Sequence, residues 1–89
     1  METVNLLIKG KVQGVFYRAS ARDRAAELGI IGWVKNTQDG NVEIVASGKK
    51  EALKKFIEWC HQGPSQAKVT GVTVREVDAN NFLGFQILK

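Results

Sequence analysis

Cysteine, proline and histidine each occur once in the 89 residues, as Cys60, Pro64 and His61. A lone cysteine excludes an intrachain disulfide framework and any CxxC metal or redox pair, and it fits a reducing compartment, so the cytoplasm is the expected location. A lone histidine leaves no His pair for a metal, the acidic residues are scattered, and no metal or other cofactor is expected. No apolar run approaches the ~20 residues that a bilayer requires. The N-terminal stretch also lacks a basic region followed by a long apolar segment and a small-residue cleavage site, so neither export nor a membrane partner is indicated. Internal repeats and low-complexity segments are missing as well.

What is present is 44% hydrophobic, 25% charged and 8% aromatic. That balance excludes a disordered tail and a fibre. A chain of this size buries only about 60 to 65% of its unfolded surface, enough for one layer of helices on one sheet. The expectation is a single domain over residues 1–89. Thirteen basic residues against nine acidic ones leave a net charge of +4, a field that steers anionic ligands. The one basic cluster, Lys49, Lys50, Lys54 and Lys55, is interrupted by Glu51 and followed by Glu58. It reads as a solvated helix face, not as a nucleic-acid footprint.

Residues 4–9 alternate Val4, Leu6 and Ile8 on one side, a strand. Residues 19–28 favour a short amphipathic helix carrying Ala21, Ala25 and Leu28 on one stripe, with Gly29 as its stop. Residues 30–36 and 41–46 are two β-favouring runs joined across Asp39 and Gly40, a hairpin signal. From 49 to 61, Leu53, Phe56, Ile57 and Cys60 repeat at helical spacing; Ser47 or Gly48 is the expected cap, and Gly63 with Pro64 closes the segment. Residues 68–77 read as a valine- and threonine-rich strand, 78–81 as a polar turn and 82–88 as a last short strand. The order β-α-β-β-α-β plus a terminal strand predicts an α+β, ferredoxin-like split β-α-β sandwich: a mostly antiparallel sheet, two helices on one face and a short fifth strand.

The stretch from Gly10 to Arg18 joins the first strand to the first helix. Its glycines relax the backbone, and its N–H groups, with those of the helix's first turn, are able to converge on an anion. Arg18 adds a permanently charged fork suited to a pair of phosphate oxygens. On these residues alone, an anion nest and an ordinary tight connection both stand.

The wording of that stretch, Gly10-x-Val12-Gln13-Gly14-Val15-x-Tyr17-Arg18, closely resembles the first signature of the acylphosphatase family. Gly32-Trp33-Val34-x-Asn36 followed by Asp39-Gly40-x-Val42-Glu43 is similar to that family's hairpin motif, and Gly84-Phe85-x-Ile87 to its last strand. Two departures stand out: Tyr17 where the family more often has phenylalanine, and a bulky Phe16 where a small residue is common. The resemblance covers nearly the whole chain and implies an enzyme that hydrolyses a carboxyl-phosphate anhydride to a carboxylate and inorganic phosphate. It implies that Arg18 binds the phosphoryl group, that Asn36 orients the attacking water, and that the backbone of Val15, Phe16, Tyr17 and Arg18 lines the phosphate cradle.

That chemistry suits a chain without a catalytic His or Cys. A carboxylate whose acid has a pKa near ~4 leaves without a strong general acid, and phosphoryl transfer depends chiefly on alignment and charge stabilisation. The expected activity is independent of metal. The expected partner is a small-molecule acyl phosphate, with no nucleic acid, and the expected state is a monomer. Ending just after its last strand, the chain reads as a free-standing enzyme and not as the front of a larger carbamoyl-phosphate-handling protein. The rivals are a ferredoxin-like RNA-binding module, whose aromatic K/R-G-F/Y-G/A-F-V-x-F/Y segment is missing, and a silent anion sensor, disfavoured by the intact Arg18 and Asn36. Cys60 sits on an apolar stripe and reads as a buried hydrophobe, His61 as a helix-end residue, and Trp33 and Trp59 as packing residues. Ser20 and Thr37 border the motifs without an assigned role.

Overall fold

Val4, Leu6 and Ile8 are all buried along the first strand, β1 (Glu2–Lys11), and the intervening positions turn to the other face of the sheet. The computed structural model describes residues 1–78 and 81–89, so the turn expected at 78–81 has its centre outside the described residues. After β1 come α1 (Tyr17–Glu27), β2 (Ile31–Asn36), β3 (Val42–Gly48), α2 (Lys50–Gln62), β4 (Lys68–Glu76) and β5 (Phe85–Ile87). The strands lie in the order β4-β1-β3-β2-β5. β1 pairs antiparallel with both β3 and β4, β2 pairs antiparallel with β3, and β5 alone adds parallel, beside β2. The central β1 and β3 belong to different β-α-β halves, which makes this the expected ferredoxin-like split fold.

Both helices bury one stripe on the same sheet face: Tyr17, Ala21 and Ala25 from α1, Leu53, Phe56 and Cys60 from α2. Alanines let α1 lie close to the sheet, and α2 supplies the volume. Each larger apolar side chain removed from water contributes about 1.5 to 3 kcal/mol. One lock joins the start of α1 to the end of α2. The buried Tyr17 hydroxyl donates to the Cys60 carbonyl at 2.7 Å, and the Tyr17 ring lies 5.4 Å from that of Trp59. Gly63 completes it: its φ is 66°, and a Cβ there would stand 2.7 Å from the Tyr17 ring. The opposite sheet face carries a polar ladder in which Asn5 Nδ2 donates to Glu43 at 2.9 Å and Lys35 meets the same carboxylate at 3.7 Å.

Several expected boundaries shift for local reasons. α1 begins at Tyr17, two residues before the expected 19, because the chain enters the helix through a left-handed residue at Phe16. Neither Ser47 nor Gly48 caps α2. Both belong to β3, where Ser47 accepts a buried hydrogen bond from the Thr3 hydroxyl at 2.9 Å, and the cap position falls to Lys49 without a side-chain bond. β5 is confined to three residues, although Leu88 still donates its N–H to the Val34 carbonyl. No described helix is long and apolar enough to cross a membrane.

Candidate functional site

The loop between β1 and α1 is pinned from both sides and left open in the middle. Val12 and Val15 are buried in the core, whereas Gly14 and Phe16 face outward. Gly14 has φ 75° and Phe16 φ 66°, the latter the only non-glycine residue with positive φ among those described. A left-handed Phe16 followed by a helical Tyr17 is the backbone combination from which anion nests are built. Phe16 is also the N-cap of α1, and its side chain has no oxygen to satisfy the first N–H groups of the helix. No acidic residue lies in that first turn.

Gln13 ties this loop to the β2–β3 hairpin. Its Nε2 donates to the Thr37 carbonyl at 2.8 Å and to the Asn41 carbonyl at 2.7 Å, so both amide hydrogens are used across the gap. The hairpin end is itself closed by short-range bonds. The Thr37 N–H donates to the Asn41 carbonyl at 2.9 Å, the Asn41 N–H to the Thr37 hydroxyl at 3.0 Å, and the Thr37 hydroxyl to the Asp39 carboxylate. The last of these holds the Asp39 carboxyl below its usual range against an opposing desolvation, helped by the N–H groups of Asp39 and Asn41. Asn36, the last residue of β2, is thereby carried to the mouth of the loop.

A cavity of about 160 Å³ opens where the two meet. Gly14, Phe16, Tyr17 and Arg18 line it on one side, Asn36 and Ile87 on the other. Arg18 is half-buried; its Nη1 donates to the Leu88 carbonyl at 3.4 Å, and among the described residues it joins no ion pair. Most of its five donors are therefore uncommitted. Asn36 Oδ1 is buried and has no donor among the described residues. Leaving such an acceptor unmet costs about 1–3 kcal/mol, which a bound donor recovers. A larger hollow of about 350 Å³ between α2 and β1 has an apolar floor of Val4, Leu53 and Ile57 and includes none of the candidate residues.

Of the five residues singled out from sequence, Phe16, Tyr17, Arg18 and Asn36 line the cavity, and Val15 does not: its side chain is in the core. The Tyr17 ring also points into the core, so what it presents to the loop is its N–H. Burial pushes the Tyr17 phenol up, with the neighbouring Cys60 adding to it, and removes it from acid–base work at neutral pH. Burial likewise pushes the Cys60 thiol up to about 12, too high for a nucleophile. His61 is exposed on α2. Gln13 is the residue tying the site together to which sequence reasoning gave no role. The signal available was a polar side chain held between Val12 and Gly14 inside the motif, but its partners lie 24 and 28 residues away. Among the described residues, no three His, Cys, Asp or Glu side chains come together.

The sequence model of the acylphosphatase family matches residues 4–87. The acylphosphatase of Methylococcus capsulatus is 48% identical over 90 residues, spanning 100% of this chain and 98% of that one. That of Marinobacter nauticus is 55% identical over 75 residues, 84% of this chain and 82% of its own length. The crystal structure of acylphosphatase from Bacillus subtilis superposes with a TM-score of 0.97 at 36% identity, covering all of both chains.

Proposed function

The chain belongs to the acylphosphatase family of acyl phosphate hydrolases, and on that premise we propose how its own residues carry the reaction. The phosphoryl group sits at the uncapped start of α1, its oxygens held by the N–H groups of residues 15–18 and by the Arg18 guanidinium. One observation carries this reading. Arg18 and Asn36, on different elements, line a single small cavity together with that helix start.

Charge on the transferred oxygens is matched by donors already in position, so little reorganisation accompanies the transition state. The Leu88 carbonyl steadies Arg18 from behind. Asn36 has no basicity at neutral pH, but its carbonyl accepts a hydrogen bond from water and sets the line of attack on phosphorus. The water oxygen bonds to phosphorus as the bond from phosphorus to the acyl oxygen breaks. The carboxylate leaves with the bonding pair, and the water proton passes to a phosphate oxygen of the substrate.

With so good a leaving group the reaction needs no strong general acid, the substrate's own phosphate oxygen stands in for an enzyme base, and no metal is required. The reading extends to a domain working as a monomer in the cytoplasm, where a free thiol such as Cys60 is kept reduced. Hydrolysis of benzoyl phosphate in excess chelator tests it. The unaltered protein should turn over at a rate that chelator leaves unchanged. Arg18→Ala should lower kcat/KM by about 10³-fold or more, as loss of a transition-state arginine does. Asn36→Ala should lower kcat by about 10²-fold, the effect of misdirecting one reactant. Retained activity in either variant, or a pH–rate profile that demands an essential enzyme base, would overturn the assignment concerned.

A further inference from the structure

Phe16 combines two unfavourable features at one position. It is 76% exposed, although a phenylalanine gains most from burial, and it holds φ 66°, a left-handed conformation uncommon for a bulky residue. Glycine there would remove both costs while keeping every N–H of the loop. The aromatic ring is therefore not explained by the turn or by the core.

The cavity beside it has a volume of about 160 Å³, well below the roughly 300–1,000 Å³ of pockets that enclose a whole small ligand. It accommodates a phosphoryl group, and an acyl group attached to that phosphoryl must extend outward past the rim. At the rim the exposed aromatic surface is Phe16, with the half-buried Ile87 across from it. The same lining carries the polar Arg18 and Asn36. A ligand whose charged end meets these two groups leaves its carbon end at the rim beside Phe16.

Resting on the acyl phosphate reading above, we propose that Phe16 is the acyl-recognition residue, giving this enzyme a preference for acyl phosphates with an aromatic or extended apolar carbon group over those with the smallest ones. The ring supplies a face on which such a group stacks and sheds water; an acetyl group is too small to reach much of it. Preference arises at the rim, and phosphate recognition at the helix start.

The test compares kcat/KM for benzoyl phosphate and for acetyl phosphate in the unaltered enzyme, Phe16→Asn and Phe16→Tyr. Asparagine tolerates the left-handed conformation and removes the ring; tyrosine keeps the ring. The readout is the benzoyl-to-acetyl ratio of each variant relative to that of the unaltered enzyme, which cancels the different intrinsic reactivities of the two anhydrides. The ratio should fall by about 3- to 10-fold in Phe16→Asn, in the range of an aromatic contact, and return in Phe16→Tyr. A ratio unchanged in Phe16→Asn, whether both activities fall together or neither does, overturns the proposal and makes Phe16 a loop residue only. Absence of turnover of both substrates by the unaltered protein would instead strike at the hydrolase reading itself.

Discussion

The two helices begin in opposite ways. Neither has a side-chain cap, yet α2 starts from an extended Lys49 and carries Lys50 and the acid Glu51 in its first turn. α1 starts from a left-handed Phe16, has no acid in its first turn and carries Arg18 instead. The α2 start is entered through extended backbone and has an acid among its lysines; the α1 start is entered through a left-handed residue, has no acid and lies at the cavity it shares with Asn36. On the proposed reading an uncapped helix start is a structural detail in α2 and the core of a binding site in α1, and the difference lies in the left-handed entry and in the cavity that Arg18 and Asn36 line beside it.

The sharpest way to break the comparison is to change the charge at each start. Ala19→Glu adds an acid at the cavity beside Arg18 and should lower kcat/KM by at least about 10-fold and weaken inhibition by inorganic phosphate in parallel, through repulsion of the anion. Lys50→Glu shifts the charge at the start of α2 by two units in the same direction. Steady-state kinetics should show activity within about twofold of the unaltered enzyme there, with thermal stability equal or slightly higher.

A smaller effect is expected at the tie between loop and hairpin. Gln13→Ala removes both bonds to the Thr37 and Asn41 carbonyls and should lower kcat by about 10-fold with little change in KM for benzoyl phosphate, because Asn36 loses its setting while the helix start remains. Gln13→Glu, which has no amide hydrogens to donate, should behave alike. Denaturant unfolding should report a loss of about 1–2 kcal/mol for Gln13→Ala, the net worth of the two hydrogen bonds lost. An equal fall in activity with KM rising instead would assign Gln13 to phosphate binding.

The smallest effect concerns the lock that joins the two helices. Cys60 has a folded pKa of about 12 against an ordinary 9.0, so the folded state holds its proton more tightly than the unfolded state does. Its contribution is full below pH 9 and is lost as pH rises from 9 toward 12. The Tyr17 shift has the same sign. Unfolding free energy should be flat with respect to this thiol up to pH 8 and then decline, with a shallower decline in Cys60→Ala.

Much of this arrangement was legible in the amino-acid order. The alternation of Val4, Leu6 and Ile8, the helical spacing of Leu53, Phe56 and Cys60, and the Asp39–Gly40 turn are local periodicities, and together they yield the split β-α-β order. Arg18 and Asn36 were legible through two motifs, each recognisable within a short window. What escaped depends on distance in sequence. Ser47 looked like a helix cap until its pairing with Thr3, 44 residues away, drew it into β3. The parallel seat of β5 beside β2 and the hold of Leu88 on Arg18, 70 residues apart, leave no local trace. Gln13 stood inside the motif, but its work is visible only once the hairpin has been brought beside the loop. The start of α1 at Tyr17 followed from the backbone at Phe16, a conformation that residue type alone argues against.

The central claim is that the start of α1, and not that of α2, reads the phosphoryl group. Titration of the isotopically labelled protein with inorganic phosphate, followed by amide shifts, tests it residue by residue. Saturable shifts concentrated at the N–H groups of residues 15–18, and lost in Arg18→Ala, are the predicted result. Equal shifts at residues 50–53, or shifts spread over the basic surface without saturation, would contradict it.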